Sequence, residues 1–537
     1  MRHPLLLPCA VALAVVAGSG GAQTLRAPFH VSEHAVFVHA DGRARDILEP
    51  DEIGERGVVV GGPLSDAAAA RQLHRLMNAV RVSPHDTVMI YIHGGRISYE
   101  KGYGRVQQRG AAIDSAGYYP IFINWNSSGG SSLWWHLFRI RQGQDWGPVA
   151  GTLSSPFMVA GAVGRAVSRA PMSALHQFVD YCSVLGGMRR GDVSGPFHKS
   201  RFCPIPGVDQ ARRAQLEYEH ALLERAPAPS EPAPLAIGIG THDLGYTVAT
   251  ARIASGVVTA VPKLVLGPVV DGFGAGAWGE MRRRAGTLIH ARRDLVPDPT
   301  LDATYHPPRG IAHALIDSLQ TMSAEQGADS VPLERRRRVF ILAGHSMGTI
   351  VIDQILEHFP ELPVARIVYL AATTTVRELE ASVVGFLEAH PTTLYYHGML
   401  HPYADAGEWQ PGMLDLVPRG SLLEWVDDYL ANPESPLDRV SGKWSNLVTA
   451  THIFPPAIRD RVVLKAFGVR DPMDRDNPVL YEALRQHAGF SDPRFAFWDD
   501  ASWQLRPYRT PSGYVRAPQP PGGRVATTAT TTTSLAK

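Results

Sequence analysis

The chain has 537 residues, 45% of them hydrophobic and 19% charged. That balance excludes a disordered or fibrous chain and supplies a large core, either in about three average domains or in one large α/β domain with insertions. Its 52 basic and 51 acidic residues leave a net charge of +1, which gives no electrostatic reason for a nucleic-acid partner.

Residues 1–22 open with a short basic start, an apolar run and then the small residues Ser19, Gly20, Gly21 and Ala22. This pattern predicts a secretory signal peptide cut near Ala22, and hence an exported protein, periplasmic or extracellular. The alternative, an uncleaved anchor, needs a longer apolar run than this one, which Pro8 interrupts. The mature chain then keeps Cys182 and Cys203. In an oxidising compartment these two can close one disulfide; two free thiols are the alternative. Neither spacing nor neighbours suggest a metal, and no cofactor is expected.

Strands are expected over 34–39 and 57–61, and a helix over 67–82, where Ala70, Leu73, Leu76, Met77 and Val80 recur at helical spacing. A buried-type strand over 86–92 runs into His93-Gly94-Gly95, and glycines at that place let backbone approach a ligand. A helix over 105–116 and a strand over 119–125 follow. Strand, helix, strand describes a parallel sheet.

Residues 126–309 are too many for a simple connection and are expected to form a mainly helical insertion. It begins with the aromatic cluster Trp134, Trp135 and Phe138. One or two helices cover 160–185, and 226–234 is a proline-rich loop or linker. Residues 253–270 are apolar, but Pro262 and Pro268 argue against a membrane span. A packed core or cap helix is expected there; an apolar lid or contact with a membrane surface is the alternative. Gly274 to Gly279 matches G-x-G-x-x-G yet follows no strand, so it does not mark a dinucleotide site. The basic runs 282–284 and 335–338 read as solvated surface.

A helix over 311–322 leads to the most informative stretch. The apolar run Val339–Ala343 predicts a buried strand, followed by Gly344-His345-Ser346-Met347-Gly348 and a helix to Phe359 that Pro360 ends. G-x-S-x-G between a strand and a helix is a nucleophile elbow. Its glycines allow close packing of strand and helix. Its strained serine lifts the hydroxyl above the sheet edge, where the helix N-terminus offers N–H groups to an oxyanion. Strands over 365–372, 392–400 and 461–469 and a helix over 376–389 complete the pass. Residues 517–537 read as a disordered low-complexity tail.

On His93-Gly94-Gly95, the Gly344–Gly348 elbow and the strand order through His487, the chain resembles the serine esterases and lipases of the α/β-hydrolase fold. The resemblance covers 86–125 and 310–500, and Arg96 stands where the fullest lipase pattern has one more glycine. It implies a mostly parallel central sheet flanked by helices, with the core split into 23–125 and 310–516 and with 126–309 as a cap. It also implies a triad in the chain order Ser, acid, His. Ser346 is then the nucleophile and His487 the base, being the only histidine beyond the last strand. Asp405 is the first choice for the acid and Glu408 the second, with Asp471, Asp474 and Asp476 behind them. The oxyanion donors fall at Gly94 or Gly95 and at Met347.

The expected activity is cleavage of small-molecule or lipid carboxylic esters through an acyl-enzyme. Acyl transfer, thioester cleavage or amide cleavage by the same triad is one alternative. A non-catalytic binding protein of the same fold is the other.

Overall fold

The computed structural model describes residues 29–47, 60–95, 97–141, 144–188, 236–239, 260–290, 309–326, 338–400, 405, 408, 418, 420–467, 484, 486–503, 509–510 and 513–514. The expected signal peptide, the proline-rich 226–234, Cys203, the side chain of Cys182, Asp471, Asp474, Asp476 and the tail 517–537 lie outside the described residues.

Eight strands form the central sheet: β1 (Ala35–Val38), β2 (Thr87–Ile92), β3 (Tyr119–Trp125), β4 (Ala236–Ile239), β5 (Val339–His345), β6 (Val364–Leu370), β7 (Leu394–Leu400) and β8 (Val462–Phe467). Their order is β1-β3-β2-β5-β6-β7-β8-β4. All seven pairings are parallel. Parallel strands need covering on both faces, which explains why β2, β3 and β5 read as near-continuous apolar runs. Helices α1 (Asp66–Val82), α2 (Tyr99–Ser115), α6 (Ile311–Gln326) and α7 (Gly348–His358) belong to this α/β core. Ser65 and Ser98 cap α1 and α2 by accepting the N–H of Ala68 and Lys101. In α1, Leu76, Met77 and Val80 are the buried residues, three of those that set its expected periodicity.

The insertion differs from expectation in two ways. It holds α3 (Gly129–Phe138), α4 (Gly147–Met188) and α5 (Ala260–Thr287), and so is mainly helical in its described parts. Yet it also contributes β4, which pairs with β8 at the sheet edge. The C-terminal half of α5 joins the main core through Trp278, Met281 and Ala285. A β4 of only four residues, Ala-Ile-Gly-Ile, is too short to stand out as a strand without its neighbour. The G-x-G-x-x-G match lies inside α5 and not at a strand-to-helix turn. Along α4, Val149, Leu153, Phe157 and Val167 stand exposed, as does Trp134 on α3. Among the described residues no helix is long and apolar enough to cross a membrane.

One arginine of each basic run, Arg284 and Arg338, departs from the expected solvated surface, while 335–337 lie outside the described residues. Arg284 is buried, with Nε on Glu280 at 3.0 Å and Nη1 on the Asn126 carbonyl at 3.0 Å. Arg338 is buried too and donates to the carbonyls of Arg81 and Ser83. Apart from Glu280, one helical turn before Arg284, their acceptors come from distant parts of the chain, so no local pattern shows them.

Candidate active site

From β2 the chain crosses to β3 on one side. From β5 it crosses to β6 on the other. The strand order therefore reverses between β2 and β5, and in an open parallel sheet ligands bind in the crevice beyond the strand ends at such a point. The last paired residues there, Ile92 and Gly344, stand side by side. His93-Gly94-Gly95 and the elbow leave the sheet from these two neighbours.

Ser346 has φ +52, in the left-handed region that a side chain with a β-carbon seldom adopts. Such a residue stores on the order of 1–3 kcal/mol and persists only where its surroundings hold it. Here the Ser346 N–H donates to the Leu370 carbonyl at 2.8 Å. Its own carbonyl accepts Thr349 N–H at 3.1 Å and Thr349 Oγ1 at 2.7 Å. The Ser346 hydroxyl is left buried, with no hydrogen-bond partner among the described residues.

Close approach explains the glycines. A β-carbon on Gly348 would lie 2.2 Å from the Ile92 carbonyl oxygen, so α7 can start directly over β2 only without one. A β-carbon on Gly94 would lie 2.6 Å from Ser346 Cβ and 3.0 Å from His345 Nδ1. Gly344 is the penultimate residue of β5, and Gly95 packs beside the Met347 sulfur.

The Gly94–Gly95 peptide is held by two side chains. His93 Nδ1 lies 2.8 Å from the Gly94 carbonyl oxygen, and Ser127 Oγ donates to the same oxygen at 2.9 Å. Trp125 N–H donates to His93 Nε2 at 3.2 Å, which fixes the proton on Nδ1. Burial keeps this imidazole neutral, lowering its pKa to about 3. A trans peptide points its N–H opposite to its C=O, so pinning the Gly94 carbonyl also sets the direction of the Gly95 N–H. Neither Gly95 nor Met347 donates its N–H to another described backbone group.

His487 opens a short 3-10 turn, His487–Ser491, that sits against the elbow. Its ring lies 5.1 Å from that of His345, centroid to centroid. Its backbone N–H donates to Glu408 Oε2 at 2.7 Å, and its carbonyl lies 3.1 Å from His345 Nε2. The fold thus brings Ser346, Gly94, Gly95, Met347 and the residue carrying the candidate base to one end of one sheet. The described hydrogen bonds do not join the Ser346 hydroxyl to His487.

The two expected carboxylates are placed differently. Glu408 touches the His487 backbone. Asp405 is buried; its Oδ1 has no hydrogen-bond partner among the described residues, and the Ser421 hydroxyl serves its carboxyl group. Burial, with Glu424 close by, pushes the Asp405 carboxyl well above its usual range. Next to it Lys443 is buried, with Nζ 2.5 Å from Glu424 and 3.6 Å from Asp427. Burial opposes the Lys443 charge, but Glu424 and Asp427 outweigh it and keep the ammonium.

Several contributing residues carry no sequence signal. Ser127 and Ser491 are single serines outside any motif. Thr373, whose N–H reaches the Ser346 carbonyl at 3.4 Å, and Ser441, whose N–H donates to the Thr374 carbonyl, both bury hydroxyls without partners among the described residues. Among the described residues no group of His, Cys, Asp and Glu is arranged to hold a metal ion. No protein-family model, curated protein or solved structure matches this chain.

Proposed function

We propose that the chain is an exported serine hydrolase that cleaves carboxylic esters. One observation carries this: a left-handed Ser346 at the strand-order reversal, its buried hydroxyl without a partner, with the turn of His487 packed on the same elbow. An ordinary strand-to-helix turn has no need of a strained serine or of a glycine loop pressed against its β-carbon.

In this mechanism His487 takes the Ser346 proton as Oγ attacks the acyl carbon, and then delivers that proton to the departing alkoxide. Water, deprotonated by the same imidazole, releases the acid from the acyl-enzyme. The N–H groups of Gly95 and Met347 take the negative charge that develops on the carbonyl oxygen. Glu408 orients and charge-balances His487, since it is the carboxylate that already holds that residue by its backbone. The hydrogen bond from Ser346 to His487 forms on substrate binding, as apo geometries of this kind tighten in the complex. Small-molecule and lipid esters are the substrate class.

The test is labelling with a fluorophosphonate, together with turnover of p-nitrophenyl esters of graded chain length. The wild type is expected to label, and Ser346→Ala to lose labelling and at least about 10³-fold in rate. An unlabelled wild type, or unchanged turnover in Ser346→Ala, removes the proposal. A protein that only binds ligands gives the first of these results.

A further inference from the structure

His345 does more than fill the elbow. Its ring is buried and bridges to both ends of the turn that carries His487. Nε2 lies 3.1 Å from the His487 carbonyl oxygen, and Nδ1 lies 2.9 Å from Ser491 Oγ. A carbonyl oxygen can only accept, so the proton sits on Nε2. Nδ1 is then the acceptor, and the Ser491 hydroxyl donates to it. The ring stays neutral because burial, and next the neighbouring His487, lower its pKa. One imidazole in one tautomer therefore holds the first residue of the turn by its carbonyl and the last by its hydroxyl.

Two further groups hold the same turn from other sides. Glu408 Oε2 accepts the His487 N–H. Arg109, buried over the rings of Tyr91 and Phe497, donates Nη2 to the carbonyls of Phe490 at 3.1 Å and Asp492 at 2.5 Å. With N–H and C=O of His487 both fixed, the direction of its Cα–Cβ bond is fixed as well. His345 ties that direction to the elbow, because it is the residue directly before Ser346.

We infer that His345 is a positioning residue that sets the His487 imidazole relative to the Ser346 hydroxyl, and that Ser491 acts through it. The inference rests on the hydrolase reading above. A pure packing role for His345 predicts that any ring of similar size serves; a positioning role requires the Nε2–H donor.

The experiment compares His345→Phe, His345→Gln, Ser491→Ala and the double variant His345→Phe/Ser491→Ala in the full chain. It measures kcat and KM on a short p-nitrophenyl ester and the rate of fluorophosphonate labelling. His345→Phe is expected to lower kcat by about 10–100-fold at nearly constant KM, with labelling slowed in step, the size of a misplaced catalytic group. His345→Gln, whose amide N–H can reach the same carbonyl, is expected to recover most of that loss. Ser491→Ala is expected to lose about threefold to tenfold, and the double variant to be no worse than His345→Phe, because groups acting as one unit are not additive. Wild-type kcat in His345→Phe, equal losses in Phe and Gln, or additive losses in the double variant overturn the inference. If His345→Phe does not fold, a wild-type kcat in Ser491→Ala or a large loss in His345→Gln overturns it. A labelled wild type with these failures sinks the positioning role alone; an unlabelled wild type sinks the hydrolase reading and takes this inference with it.

Discussion

At position 346 a strained backbone survives because four neighbouring groups hold it: the Leu370 carbonyl, the Thr349 N–H and hydroxyl, and the Thr373 N–H. The same residue-level accounting separates Glu408 from Asp405. Glutamine at 408 keeps an oxygen for the His487 N–H but removes the charge that would balance an imidazolium. Glu408→Gln is therefore expected to lose on the order of 10²-fold or more in kcat with the fold intact. Asp405→Asn is expected to keep most of the activity, because burial and the nearby Glu424 raise the Asp405 carboxyl and so disfavour the negative charge that would balance an imidazolium. Its stability gives an independent check. A carboxyl whose folded pKa is raised binds its proton more tightly in the native state. Native stability then falls as pH climbs from the unfolded carboxyl pKa of about 3.9 toward the folded value. Asp405→Asn removes that fall, so its denaturation midpoint is expected to decline less than the wild type's between pH 5 and pH 8. Equal activity losses in the two variants would leave Glu408 with no special place.

Loops and turns at the ends of β2, β3 and β5 show how separate elements share one task. Ser127 lies just beyond β3, while the Gly94 carbonyl it holds lies just beyond β2. Its backbone N–H also donates to the Ile97 carbonyl at 3.1 Å, which anchors the hydroxyl. With Ser127→Ala, His93 alone holds the Gly94–Gly95 peptide. A loss of about tenfold in kcat with KM little changed is expected, less than deleting an oxyanion donor outright, since the donor is only loosened. An unchanged kcat, measured by steady-state kinetics on the same ester series, would show that the loop needs no second anchor. This pairing also marks where sequence reading stops. The elbow, the His-Gly-Gly loop and the core strands were legible because each is a local signal: an apolar run, a tight glycine turn, a helical period. Ser127 with Gly94, Ser491 with His345, and Glu408 with His487 are contacts across 33, 146 and 79 positions. They depend on which strand ends become neighbours, and strand order is not written in any one segment. The single-serine partners carry no periodicity to find. β4 escaped notice for the related reason that its strand character comes from pairing with β8.

Across the whole molecule, α4 and α5 are joined to each other by a buried ionic cluster, while α5 meets the core through Trp278, Met281 and Ala285. Asp271 on α5 is fully buried, and it accepts Arg165 Nε on Oδ1 and Arg169 Nε on Oδ2, each at 2.8 Å. Arg165 also donates Nη2 to the Tyr429 carbonyl at 3.1 Å, so α4 is tied at once to α5 and to the helical turn 426–430. A buried carboxylate between two guanidiniums is costly to break, because removing its charge leaves the cations without a counterion. Both arginines stay partly in water, at 29% and 23% side-chain exposure, so Asp271→Asn is expected to cost on the order of 2 kcal/mol and not the larger penalty of a fully enclosed pair. That loss falls on the insertion. The hydroxyl, the oxyanion loop and the His487 turn are held by β2, β5 and α2, which Asp271 does not touch. Hydrogen exchange in α4 is therefore expected to quicken in Asp271→Asn, while exchange in β5 and turnover of a short-chain ester stay near wild type, as for an independently opening unit. If exchange in α4 and in β5 quickens together and by the same factor, the insertion and the sheet unfold as one cooperative body, and the insertion has no separate freedom over the site.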